Sequence, residues 1–191
     1  MMHIDDFVAI NKSNMERMLS DLDAWDRTPE DHRANTPERF LKAIYQLADR
    51  SSEEFTFTTF PADGNQEMIV LGPIPFYTLC AHHLVPFHGV AYVGYVPDER
   101  IAGLSKFARA VKYLAKGFWV QEELTTAIAE MIEQELNPLG AAVVIKAEHL
   151  CMAMRGVQQP GVITTTGAMR GVFADHERTA KAEFMQYIGG N

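Results

Sequence analysis

Two helical stretches set back to back between strand-like runs constrain this chain more than any other feature. Ser105 to about Lys116 and about Val120 to Leu136 read as helices, and the second stops at Asn137-Pro138-Leu139-Gly140. Ahead of them Val90 to Val96 reads as a strand closed by Pro97-Asp98. Behind them Ala141 to Ala147 is strand again, continuing through Cys151 to Met154. Alternation at Phe55, Phe57 and Thr59, a β-rich run from Met68 to Leu71 and a further run near 162–173 add strands. Glu177 to Ile188 reads as a final helix. A strand-rich unit with two consecutive helices inside it and helices at both ends is α+β.

Residues 1–50 read as a separate helical region ahead of a unit spanning 51–191. Met15, Met18, Leu19 and Leu22 recur on one helical face. A polar break from Asp26 to Asn35 contains Pro29. Thr36-Pro37 then offers an N-cap and first-turn proline, with Phe40, Leu41, Ile44 and Tyr45 as the apolar stripe behind it. This region reads mainly as packing and assembly surface, and Arg39 is its one residue of functional interest.

Composition narrows the function classes. The chain has 191 residues, 17 basic against 25 acidic, for a net charge of −8, and 47% of it is hydrophobic. That is one domain's length with material for a sizeable core. The charge is wrong for a nucleic-acid polymer, whose phosphates require a broad basic surface. No apolar run approaches the roughly 20 residues that span a bilayer. Asp5, Asp6 and Asp21 stand where a signal peptide would have a basic start and an apolar stretch. With two cysteines and nothing else that suggests secretion, the expected setting is reducing and cytoplasmic.

Those cysteines lie in the two segments richest in metal-capable side chains. Cys80-Ala81-His82-His83 holds a C-x-x-H pair, whose spacing lets a short turn bring both donors to one ion. In His149-Leu150-Cys151, positions i and i+2 of a strand share a face. If zinc is bound, Cys80, His83 and Cys151 form a Cys2His set with one position open to water, the pattern of a catalytic ion. His82 and His149 then remain as proton carriers. The plainer reading treats the cysteines as small buried hydrophobes. The H-x-E…P-C-x-x-C signature of the zinc deaminases is absent. His3, His32, His88 and His176 are isolated and read as surface or loop residues.

Charge is concentrated elsewhere. Arg100, Lys106, Arg109, Lys112 and Lys116 give five basic residues and no acid between positions 100 and 116. Lys106 and Arg109 are three apart in the first turns of a helix for which Ser105 is the expected N-cap, and a helix N-terminus favours anions. The segment suits phosphates, although a merely solvated basic face has the same charge; Gly103-Leu104-Ser105-Lys106 is not a P-loop. Arg155-Gly156 can bring another guanidinium close to Cys151. Gln121-Glu122 offers an amide and a carboxylate at a helix start, where a glutamate is also favoured by the helix dipole.

Together these segments resemble the GTP cyclohydrolase I family. Leu79-Cys80-Ala81-His82-His83-Leu84-Val85-Pro86-Phe87 resembles its zinc-binding C-E-H-H stretch. Gly103-Leu104-Ser105-Lys106-Phe107-Ala108-Arg109 is similar to its G-L-S-K-x-x-R. Val120-Gln121-Glu122-Glu123-Leu124-Thr125 resembles V-Q-E-R-L-T, and His149-Leu150-Cys151-Met152-Ala153-Met154-Arg155-Gly156 resembles H-x-C-x-x-x-R-G. The motifs keep family order and spacing from about Thr36 to Ile188.

The resemblance implies the tunnelling fold, an α+β unit whose sheets close into a barrel across subunits of a homodecamer, with active sites between subunits. It implies conversion of GTP and water to 7,8-dihydroneopterin triphosphate and formate. By matching position, Cys80, His83 and Cys151 would hold Zn2+. His149 would protonate N7 as the imidazole ring opens, and His82 would assist release of formate. Ser105 would act at the ribose. Lys106, Arg109, Arg155 and Arg39 would hold the triphosphate, and Gln121 and Glu122 would read the guanine edge. Ala81 departs from the family's glutamate, Glu123 from its usual arginine, and Lys116-Gly117-Phe118-Trp119 lacks basic residues common there. These departures suit a divergent member. They leave two alternatives: a non-catalytic GTP-binding module, or another tunnelling-fold enzyme of deazapurine metabolism.

Overall fold

The structure is a computed structural model that describes residues 2–51, 53–64, 66–175 and 179–189. It divides into two compact units, Met1–Ser52 and Glu53–Asn191.

The first unit holds helices α1 (Ile4–Ser20), α2 (Asp23–Asp26) and α3 (Glu30–Ala48). α1 and α3 pack together, with Val8 and Leu41 buried and the Phe7 and Tyr45 rings 5.5 Å apart. Thr36-Pro37 does not start a helix. α3 begins after Pro29, with Glu30 and Asp31 in its first turn, and Pro37 lies inside it. Two acids behind a proline already satisfy a helix start, so Arg39 is a mid-helix residue and exposed. Phe40, expected in the buried stripe, is exposed as well.

The second unit is built on a five-stranded sheet in the order β5-β2-β3-β6-β7. Its strands are β2 (Ile69–Cys80), β3 (Pro86–Val96), β5 (Phe118–Trp119), β6 (Gly140–His149) and β7 (Ile163–Met169). All neighbours are antiparallel except β2 and β5. β1 (Thr59–Pro61) and β4 (Arg100–Ala102) form a separate antiparallel pair. α4 (Leu104–Ala115) and α5 (Gln121–Leu136) follow each other between β4 and β6, α6 (Leu150–Ala153) follows β6 directly, and α7 (Ala180–Gly189) closes the chain. The expectation of an α+β protein is met.

The register explains where the chemistry lies. Phe87, Ala91, Val93 and Tyr95 of β3 and Ala141, Val143, Ile145 and Ala147 of β6 point to one face. There they pack against Phe107, Val111 and Leu114 of α4 and Leu124, Ile128 and Ile132 of α5. Each of the valine, leucine, isoleucine and phenylalanine side chains contributes about 1.5–3 kcal/mol by leaving water. The alternation carries on from Ala147 to His149, which therefore emerges beside the N-terminus of α5. The other face meets α7 through Ala142, Val144, Phe184 and Ile188.

Three local expectations are corrected. The run expected from Met68 to Leu71 begins at Ile69 and is only the start of the 12-residue β2. Phe55 and Phe57 lie outside any strand; Phe55 stacks on Tyr113 and Phe57 meets Phe107 edge-on, each pair 5.5 Å apart. Burial against α4 explains their alternation. Cys151 is not on a strand but is the second residue of α6, two positions past the end of β6.

Gly89 of β3 sits tight against β6. A methyl there would lie 2.0 Å from the Lys146 carbonyl oxygen and 2.6 Å from Ala147 Cα. Gly89→Ala is expected to lower the urea midpoint by an amount corresponding to about 1–3 kcal/mol or more. An unchanged midpoint would show that the strands part freely here.

Candidate active site

The site forms at the end of the sheet where β2 stops, β6 stops and α5 begins. After Cys80 the chain turns tightly: the Cys80 carbonyl accepts from the His83 and Leu84 amides at 3.3 and 2.8 Å, and the Cys80 amide donates to Val85 at 2.9 Å. The Ala81 amide donates to the Trp119 carbonyl at 3.0 Å, which ties the turn to the segment entering α5. Leu84 takes the left-handed backbone conformation, φ 55°, that closes the turn. Across the sheet Phe87 pairs with His149, and their rings stack 4.4 Å apart and 8° from parallel.

Ligand atoms of Cys80, His149 and Cys151 lie within 4.8 Å of one another. Two thiols and an imidazole suit a borderline-soft cation such as zinc. The trio opens on a cavity of about 340 Å3, which His82, His83, Trp119, Gln121, Glu122 and Thr164 also line. Cys80 and Cys151 are free thiols. Burial pushes the Cys151 thiol above its ordinary range, and the Cys80 sulfur beside it adds to that; Arg155 pulls weakly the other way. Burial also holds His149 below the usual imidazole range, and the Glu122 carboxylate opposes it. Cys80 Sγ is 3.9 Å from His82 Nδ1.

Of the residues singled out in the sequence, Cys80, Cys151, His149, His82, His83, Gln121 and Glu122 come together around this cavity. His83 is exposed on its wall but outside the close trio, in which His149 stands instead. The His149–Cys151 proximity does not come from a shared strand face: the tight turn into α6 brings the thiol back.

The basic residues of α4 do not line the cavity. Ser105 is the second residue of α4, and Gly103, not Ser105, is the N-cap. Lys106 Nζ donates to the Thr56 carbonyl at 2.9 Å, and Lys116 pairs with Glu53. Arg100 Nε donates to Thr59 Oγ1 at 2.9 Å. Arg109 is exposed, as is Arg155 in the turn after α6. His176 lies outside the described residues. His88 stacks on Tyr77, with centroids 5.4 Å apart.

Sequence reasoning did not anticipate the burial of Gln121, whose side chain bonds to His149, or the part of Thr166 beneath it. The Phe87 stack was equally unforeseen. A glutamine between valine and glutamate at a helix start gives no sign of being buried.

The α+β sheet carries, at its open end, a thiol–imidazole cluster whose donors could hold a metal ion beside a small cavity. The family model for GTP cyclohydrolase I matches residues 12–189. A GTP cyclohydrolase 1 from Mycolicibacterium gilvum is 51% identical over 158 residues, covering 81% of this chain and 78% of that protein. One from Thermoanaerobacter pseudethanolicus is 42% identical over 184 residues, 94% of this chain and 97% of that protein. One from Dictyostelium discoideum is 44% identical over 159 residues, 82% of this chain and 68% of that protein. The chain belongs to the GTP cyclohydrolase I family, and its fold is the tunnelling fold of that family.

Proposed function

We propose that this chain is a zinc-dependent GTP cyclohydrolase I. It opens the imidazole ring of GTP by hydrolysis, releases formate and rearranges the remainder to 7,8-dihydroneopterin triphosphate. The observation that carries this reading is the Cys80–His149–Cys151 cluster opening on a cavity with Glu122 on its wall. Family membership supplies the reaction.

Cys80 and Cys151 hold the zinc together with His83 from the adjoining turn. When bound, the ion supplies an activated water for attack on carbon. His149, held flat by Phe87, delivers a proton to N7 of the purine as the ring opens. His82 serves proton transfer in the second hydrolysis, which frees formate. The exposed Glu122 carboxylate accepts from the adjacent N–H groups of the guanine edge. Ser105 acts at the ribose. Lys106, Arg109, Arg155 and Arg39 hold the triphosphate, with Lys106 exchanging its bond to Thr56 for a phosphate oxygen. The assembly is a homodecamer with sites between subunits, which explains how α4 cations outside this cavity serve it. The setting is cytoplasmic, and among the described residues no helix is long and apolar enough to cross a membrane.

One assay tests the reading. Zinc-loaded protein given GTP should yield formate and, after oxidation, a fluorescent pterin in equal amounts, with about one zinc per subunit by metal analysis. Zinc-loaded protein that binds GTP tightly and leaves it intact would favour the non-catalytic GTP-binding alternative.

A further inference from the structure

Gln121 opens α5, yet its side chain is only 1% exposed. Its amide nitrogen faces three oxygens: the Ile145 carbonyl at 3.3 Å, the Thr164 carbonyl at 3.1 Å and Thr166 Oγ1 at 3.1 Å. Its amide oxygen faces His149 Nε2 at 2.7 Å. Two of the three oxygens are carbonyls and can only accept. Turning the amide over would press oxygen against oxygen, so chemistry fixes its orientation.

The threonines lock the arrangement from below. Thr125 Oγ1 donates to the backbone carbonyl of Gln121 at 2.7 Å, which spends its only proton. In the 2.6 Å contact between Thr166 and Thr125, Thr166 is therefore the donor. Thr166 Oγ1 is left to accept from the Gln121 amide. Every proton in this buried group is assigned, and the one acceptor turned outward is Gln121 Oε1.

From this geometry we infer that Gln121 is a positioning residue for His149 and takes no part in reading the base. An amide oxygen can only accept, so His149 Nε2 carries a hydrogen and donates it. Nδ1 is left as the ring nitrogen with an open lone pair, and it has no hydrogen-bond partner among the described residues. The Phe87 stack sets the plane of the ring, and Gln121 sets its rotation and tautomer. Under the function proposed above, Nδ1 is the nitrogen that first takes up a proton, giving the imidazolium, and then passes that proton to N7, returning to the neutral ring while Nε2–H stays bonded to Gln121. Guanine recognition falls to the exposed Glu122, because the Gln121 amide is buried with its nitrogen on three protein oxygens and its oxygen on His149.

Two measurements test this, one of them independent of turnover. In zinc-loaded protein labelled with 15N-histidine, the His149 signal is the one lost in His149→Asn. It should show Nε2 with the shift of a protonated ring nitrogen and Nδ1 without; the reverse pattern overturns the inference. Gln121→Leu, which removes the acceptor at similar size, should lower kcat for GTP about 10–100-fold while KM stays within about twofold. Glu122→Gln should instead raise KM and weaken discrimination between GTP and inosine triphosphate. A raised KM with unchanged kcat in Gln121→Leu would return Gln121 to the base-reading role. Should Gln121→Leu fail to fold, the wild-type 15N pattern still decides. An Nε2–H pattern in protein that does not turn GTP over would sink the proposed function and leave this inference standing.

Discussion

Cys151→Ala is expected to abolish both zinc binding and turnover of GTP. The cluster has only two sulfur ligands, and Cys151 is held against Cys80 by the turn into α6. Without it, one thiol and the imidazoles of His82, His83 and His149 remain around the cavity, a donor set with a single sulfur. Zinc content should fall from about one per subunit to near zero, and formate production by about 1000-fold or more. The same cluster predicts a pH dependence of loading. Cys151 must give up its proton to bind the ion, and burial pushes its pKa up, so a proton is displaced at neutral pH. Apparent zinc affinity should therefore rise with pH toward that raised value and fall steeply in mild acid. Stoichiometric zinc in Cys151→Ala would reject this ligand set.

His149→Asn should show the opposite pairing of effects: metal retained, chemistry lost. In the proposed mechanism His149 supplies a proton, and the ligands are Cys80, His83 and Cys151. Loss of a positioned acid is expected to cost about 100–10,000-fold in kcat. Burial lowers the His149 pKa, so the protonated form shrinks as pH rises through that lowered value and activity falls with it. The Glu122 carboxylate works against that fall. In His149→Asn the alkaline limb should disappear along with the rate. If zinc is lost instead, His149 is itself a ligand, as its place in the close trio also permits, and His83 is not.

Much of the architecture was legible in the residues. The paired helices, their stop at Asn137-Pro138 and the strands on either side depend on local apolar period and on breakers, which act over a few residues. The metal-capable clusters were equally visible, because cysteine and histidine at short spacing are uncommon by composition alone. Misreadings came where distant contacts outweighed local signals. Phe55 and Phe57 alternate like a strand because Tyr113 and Phe107 receive their rings, not because a neighbouring strand pairs with them. Ser105 has an N-cap's chemistry, yet the helix begins one residue ahead of it.

The sequence by itself determined the kinds of donor this chain brings to a site and their order: two thiols, two adjacent histidines, a third beside a cysteine, and a carboxylate at a helix start. A motif names side chains without saying which atoms meet. Only the tertiary structure decided that His149, by continuing the inward alternation of β6, joins both thiols in one close trio. Only it decided that Gln121, one residue from the exposed Glu122, turns inward onto Thr166. The reason is geometric. Partners 28 positions apart along the chain, such as Gln121 and His149, are joined by sheet register and helix packing, and no local pattern encodes a 2.7 Å hydrogen bond between them.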